Sequence, residues 1–225
     1  MSTSSILSVH EIDIQSDQTV ICRVDFNVPM EGGKIRDDYR IRAALPTLKA
    51  ILETGAKLVL CSHLGRPKGQ RLNQFSLLPI ATRLAEILER DIVFAHDDIS
   101  SETAHLVHEL PPNGILMLEN LRFFPGEKKG DANLARARAD LGHVFVDDAF
   151  GAMHREHASI TGVPRHIETN ATGLLVEKEL AALGCLLTSV DKPYGAIIGG
   201  SKVSDKIGVI EALAKRVDHL FIGGA

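Results

Sequence analysis

Two spacings of apolar residues alternate along the chain. Short runs that are apolar without interruption, Thr19 to Phe26, Lys57 to Cys61, Ile92 to Ala95, Ile115 to Leu118 and Val144 to Val146, read as buried strands. Longer segments between them carry apolar positions every three or four residues and read as helices. The first helix starts at Asp37 or Asp38, either of which suits an N-cap, and ends near Gly55. Pro46 lies inside it and either bends it or removes an internal hydrogen bond. Ser76 caps a second helix that runs to Arg90, with Pro79 in the first turn, where proline is tolerated. A third covers roughly Ser100 to Leu110 and stops at Pro111-Pro112, and an alanine-rich fourth covers Asp131 to Leu141. Continuous apolar strands alternating with helices predict an α/β fold. The expected form is a parallel sheet with helices on both faces, a Rossmann-like three-layer arrangement with right-handed crossovers.

The rhythm changes after about Ser159. Residues 160–172 are turn-rich, and a helix from Leu174 to Ser189 follows. A new strand–helix–strand pattern then begins: Tyr194 to Ile198, Val203 to Val217 and His219 to Ile222. The expected organisation is an N-terminal domain over 1–172, a linking helix over 173–189, and the start of a second α/β domain over 190–225. Two strands and one helix do not cover both faces of a sheet. The last segment is therefore read as incomplete, with unpaired edges that invite association.

Composition narrows the class. Hydrophobic residues make up 44% and charged residues 24%, ordinary for a soluble globular chain. Tryptophan is absent and aromatics are 4%, so the core is aliphatic. The net charge of -4 argues against a nucleic-acid binder. Cys22, Cys61 and Cys185 have no metal-like spacing, and the first two sit in apolar runs, which favours a reducing compartment. No segment approaches the ~20 apolar residues needed to cross a bilayer, and the N-terminus does not read as a secretory signal. The expected location is the cytoplasm, with no membrane partner.

In a parallel sheet, ligands bind beyond the carboxyl ends of the strands. Arg23, Asp25 and Asn27 close the first strand, and Ser62, His63 and Arg66 follow the second. Glu119, Asn120 and Arg122 follow the strand at 115–118, and Asp147, Asp148, His154 and Arg155 end or follow that at 144–146. Arg40 stands at the start of the first helix. One arginine alone reads equally as a solvated surface residue. Several on one edge point to an anionic ligand, because guanidinium binds phosphate and carboxylate through paired hydrogen bonds. Each histidine reads equally as a ligand-binding or a structural residue. Gly199, Gly200, Ser201 and Lys202 lie where a strand opens into a helix, a place suited to phosphate, and Lys206 shares a helix face with Lys202. Taken alone, that segment is an ordinary strand-to-helix turn and not a Walker A motif.

The segments R-V-D-F-N-V-P (23–29), S-H-L-G-R-P (62–67), E-N-L-R-F (119–123), D-D-A-F-G (147–151) with H-R-E-H-A-S after it, and G-G-S-K-V-S-D-K-I (199–207) together resemble phosphoglycerate kinase, in that family's order. The resemblance spans essentially the whole chain. It implies glycolytic phosphoryl transfer between 1,3-bisphosphoglycerate and ADP, giving 3-phosphoglycerate and ATP, with Mg²⁺. It implies that Asp25 and Asn27 hold the hydroxyl and carboxylate end of the substrate. His63, Arg66, Arg122 and Arg155 would clamp its 3-phosphate, with His154 beside them. Arg23 would orient Asp25 or add to the basic patch, and Arg40 would stabilise the group in flight. Gly199, Gly200, Ser201, Lys202 and Lys206 would meet the nucleotide, with Lys202 and Lys206 also touching the transferring group. The Mg²⁺ ligand is expected in a C-terminal part that these 225 residues lack, and the family's members are monomers. Ala152, Met153 and Glu156 depart from the family pattern, and Glu156 either pairs with Arg155 or faces solvent.

Three other readings compete. A non-catalytic remnant would keep the anion cleft without turnover. A metal-dependent hydrolase would use Asp147, Asp148, His154 and His157, but H-E-x-x-H is absent. A dinucleotide-binding enzyme requires G-x-G-x-x-G after the first strand, and N-V-P-M stands there instead.

Overall fold

The computed structural model describes residues 6–97, 99–188, 190–200 and 207–223. The chain divides into two compact units, Met1–Glu179 and Leu180–Ala225. The first holds a six-stranded sheet built from β1 (Thr19–Val24), β4 (Lys57–Cys61), β5 (Val93–Ala95), β6 (Ile115–Leu118), β7 (Val144–Asp148) and β8 (Thr169–Thr172). Their spatial order is β5-β6-β4-β1-β7-β8, and every pairing is parallel. A two-stranded hairpin, β2 (Met30–Glu31) with β3 (Lys34–Ile35), stands outside the sheet. The helices of this unit are α1 (Tyr39–Glu53), α2 (Leu78–Leu88), α3 (Ser101–Glu109), α4 (Ala132–Ala139) and the start of α5 (Leu174–Thr188).

Alternation along each strand sorts the core into two layers. Val20, Cys22 and Val24 of β1, Leu58 and Leu60 of β4, and Val144 and Val146 of β7 point to one face. There they meet Ile41, Leu48 and Ile51 of α1 and Ile80 and Leu84 of α2. Ile21, Val59, Cys61, Leu116 and Phe145 point to the other face, against Val107 of α3 and Ala139 of α4. Burial on both faces is why these strands appear in the sequence as unbroken apolar runs.

At the two expected caps, side chains take partners from elsewhere in the chain as well. Asp38 precedes α1 but makes no capping hydrogen bond. Its carboxylate instead accepts from Arg42 and Arg83, at 2.9–3.0 Å, and these hydrogen bonds hold its pKa below the usual value. Asp37 accepts from the Tyr39 N–H at 2.7 Å. At α2, the Ser76 hydroxyl accepts from Leu78 N–H at 3.2 Å, while Glu119 from the end of β6 accepts from Leu77 N–H and the Ser76 hydroxyl. A carboxylate at a helix N-terminus is favoured by the free N–H groups there, and this one ties α2 to a strand end of the sheet.

Two elements depart from expectation. The hairpin turns through Gly32 and Gly33, both at positive φ, the conformation that tight hairpins require. β8 falls within the segment read as turns. The second unit contains β9 (Gly195–Gly199), α6 (Ile207–Ala214) and β10 (His219–Gly223), and its two strands pair in parallel.

The two-layer sorting predicts unequal effects on one helix. Leu84→Ala on the buried face of α2 is expected to cost about 2–5 kcal/mol, whereas Leu78→Ala on its exposed face is expected to stay within about 0.5 kcal/mol. Urea unfolding followed by circular dichroism reads both.

Candidate functional site

Because all six strands run parallel, their carboxyl ends share one edge. The chain leaving β1 crosses to β4, and the chain leaving β7 crosses to β8 on the opposite side. A crevice therefore opens between β1 and β7, the place where α/β sheets bind ligands. The inward alternation of each strand carries on to this edge with a change of chemistry. Arg23 follows Ile21 and is paired in register with Cys61 of β4 and Asp147 of β7.

The loops are fastened to one another before any ligand is considered. Asn120, wholly buried, accepts from the N–H groups of Leu64 and Arg122 and donates to the carbonyls of Leu64 and Phe75. The Asn27 amide oxygen accepts from Gly65 N–H at 2.9 Å, and the Ser62 hydroxyl accepts from Phe26 N–H at 2.9 Å. Arg122 donates to the Gly65 carbonyl at 2.6 Å. Gly65 has a φ of 58°, and a Cβ there would enter the Phe75 ring, so no other residue fits this turn.

Arg23, Arg122, Arg155 and His63 form one electrostatic cluster, with Arg66 beside Arg122. Burial, then the charges of Arg155 and Arg23, push Arg122 down to about 10. Among the described residues its Nε is buried without an acceptor, a cost of about 1–3 kcal/mol that protein architecture rarely tolerates away from functional sites. His63 is pushed down to about 2, first by burial and then by the Arg23, Arg122 and Arg155 charges. Burial among these cations favours its neutral form at ordinary pH. Arg155 Nε lies 3.4 Å from His154 Nε2. Glu156 is exposed and makes no ion pair with Arg155 among the described residues.

A second corner lies beside this cluster. Arg40 is ion-paired with Asp25, whose other oxygen is 4.0 Å from His63 Nδ1. Gly151 closes on this pair, since a Cβ there would stand 3.0 Å from Asp25 Oδ2. A cavity of about 290 Å³ opens here between Asp25, Arg40, Phe150, Gly151 and Leu175. A larger cavity of about 520 Å³ adjoins Asn27 and Gly65 but is lined by no charged residue.

A sequence model described as phosphoglycerate kinase matches residues 9–225. The chain belongs to the phosphoglycerate kinase family. Its fold is similar to that of phosphoglycerate kinase from Coxiella burnetii, at 37% identity and a TM-score of 0.85, covering 97% of this chain and 55% of that chain. It is similar also to phosphoglycerate kinase from Pyrococcus horikoshii OT3, at 30% identity and a TM-score of 0.86, with 97% and 55% covered. The chain thus spans about half the length of these phosphoglycerate kinases.

Of the residues that the family resemblance singles out, Asp25, Asn27, Arg40, His63, Arg66, Arg122, His154 and Arg155 lie on the loops beyond β1, β4, β6 and β7 or at the start of α1. Arg23 is placed differently. It is 1% exposed, so it stands behind His63 and not on the cleft surface. Gly199 ends β9 and Gly200 follows it, both in the second unit. Ser201, Lys202 and Lys206 lie outside the described residues. The structure adds residues that sequence reasoning passed over: Glu127, Arg138 and Ser159 are all buried and all wired into this edge.

Asp147 and Asp148 end β7, and burial pushes both carboxyls up to about 6. The fold therefore binds these protons more tightly than the unfolded chain does. Their stabilisation is complete below about 4 and is lost as pH rises through about 6. Asp147→Asn is expected to unfold at higher urea than the wild type at pH 7.5, by roughly 1–3 kcal/mol. That advantage should shrink towards pH 4.5. An equal difference at both pH values would show that Asp147 is already ionised without penalty.

Proposed function

We propose that this chain carries the phosphoglycerate-binding site of a phosphoglycerate kinase. The observation that carries this reading is the cluster of Arg122 and Arg155 around a neutral His63, with Arg66 acting on Arg122 and the cationic form of Arg122 disfavoured by burial and by its neighbours. Such a cluster is relieved by an anion, and arginine suits the oxygens of a phosphate ester. In this reading Arg66, Arg122 and Arg155 hold the 3-phosphate of 3-phosphoglycerate or 1,3-bisphosphoglycerate, with His63 donating from Nε2 and His154 at the rim. Asp25 and Asn27 meet the hydroxyl and carboxylate end. Arg40, held in place by Asp25, faces the oxygens of the transferring phosphoryl group.

Phosphoryl transfer demands positioning and charge neutralisation and little covalent work from the protein. A guanidinium fixed by a carboxylate supplies both. The co-substrate would be ADP or ATP with Mg²⁺, its phosphates meeting Gly199, Gly200, Ser201, Lys202 and Lys206. Among the described residues no group of three or more His, Cys, Asp or Glu side chains is placed to hold a metal ion.

Calorimetric titration with 3-phosphoglycerate at low salt tests the cleft. Saturable binding is expected, weakening as salt is raised, and Arg66→Ala is expected to lose about tenfold or more in affinity. A folded chain that takes up no heat with the ligand would remove the proposal. The chain covers 55% of the kinases it resembles, which favours as a second reading an anion-binding fragment without turnover. A coupled assay for ATP formation separates the two.

A further inference from the structure

Arg23 is among the largest fully buried side chains of the described residues. Its Nη1 donates to the Val24 carbonyl, its Nε donates to the Ser159 hydroxyl at 3.1 Å, and its Nη2 meets His63 Nδ1 at 3.0 Å. Guanidinium only donates. His63 Nδ1 must therefore accept, and the proton of the neutral ring sits on Nε2. The Ser159 hydroxyl, taking a hydrogen bond from Arg23, passes its own to Glu127 Oε1 at 2.6 Å. Glu127 is 1% exposed, and it also accepts from Ser159 N–H at 3.2 Å and from Arg138 of α4. His157 Nδ1 lies 3.8 Å from the same Glu127 oxygen.

We infer that Glu127 and Ser159 are positioning residues, which act through Arg23 to hold His63 as a neutral donor with its proton on Nε2. This rests on the reading of the cleft as a phosphoglycerate site, where that N–H would meet a phosphate oxygen. The direction of each hydrogen bond is forced. The carboxylate accepts, the hydroxyl relays, the guanidinium donates, and the imidazole is left with one donor. The charges facing His63 agree with this state. Arg23, Arg122 and Arg155 surround it, His157 adds to them when protonated, and the Asp25 carboxylate, 4.0 Å from its Nδ1, is already paired with Arg40. A hydroxyl at 159 is the element that cannot be dropped, because without it Arg23 Nε is buried with no acceptor.

The test is long-range proton–nitrogen NMR of the ring nitrogens in the full 225-residue chain between pH 5.5 and 8, beside titration with 3-phosphoglycerate. In the wild type, His63 is expected as a single neutral tautomer with the proton on Nε2 throughout. In Ser159→Ala, both tautomers are expected, with about a tenfold loss of 3-phosphoglycerate affinity. Ser159→Thr, which keeps the hydroxyl, should restore the tautomer and the affinity. A wild-type His63 protonated on Nδ1, or titrating near 6.5, overturns the inference without need of any variant. So does a folded Ser159→Ala with His63 unchanged. If the wild type shows the predicted tautomer and binds no phosphoglycerate, the relay stands and the substrate reading falls.

Discussion

A guanidinium taken wholly out of water must be met by acceptors, and the burial of Arg23 organises this edge of the sheet. An isolated buried charge costs several kcal/mol or more, so the chain brings groups to Arg23 from three distant places. His63 arrives from the loop after β4, and Ser159 from the turn after β7. Glu127 reaches it through Ser159 from the loop before α4 and is matched in turn by Arg138. The network links β1, β4, β7 and α4 through groups that tolerate little displacement. The arginines that remain nearer to solvent stand on loops braced by it.

The cleft is cationic by construction. The Asn120 side chain ties the loop at 62–67 to that at 119–123, and Asn27 and Ser62, accepting from Gly65 N–H and Phe26 N–H, tie the loop at 62–67 to the chain after β1, although like charges there repel. Preorganisation of this kind removes from the binding step the cost of ordering the side chains. It is consistent with a site that recognises an anion by geometry as well as by net charge, in a chain whose overall charge is -4.

How much of this was legible in the sequence depends on whether the signal was local. Strands buried on both faces appear as unbroken apolar runs, so β1, β4, β6 and β7 could be placed, and with them the edge that follows each one. β8 could not, because Thr-Asn-Ala-Thr at the sheet margin is polar and carries no such run. The hairpin at Gly32-Gly33 was missed because its strands are two residues long. Asp38 and Ser76 were correctly placed at helix starts, but their side chains were claimed by Arg83 and Glu119, which are far off in sequence. The same limit hid the relay. Glu127 and Ser159 are 32 positions apart, and a lone Glu in G-E-K-K-G reads as a surface charge. Polarity gave no hint that both were buried.

The pH behaviour of the edge follows from which groups have been moved away from neutrality. A histidine at its ordinary pKa near 6.5 would change the cleft charge across the physiological range. Burial among arginines removes His63 from that range. Asp147, behind Arg23 in the register of the sheet, is moved the opposite way and takes up its proton near 6. A phosphate monoester dianion takes up its first proton at about 6. As pH falls, the ligand of the proposed site loses negative charge while the protein loses negative charge behind its arginines. The two changes act in opposite directions on the attraction between them. A cleft that kept His63 titratable would bind phosphate with a strength set by pH, whereas this one leaves the arginines as its constant source of charge.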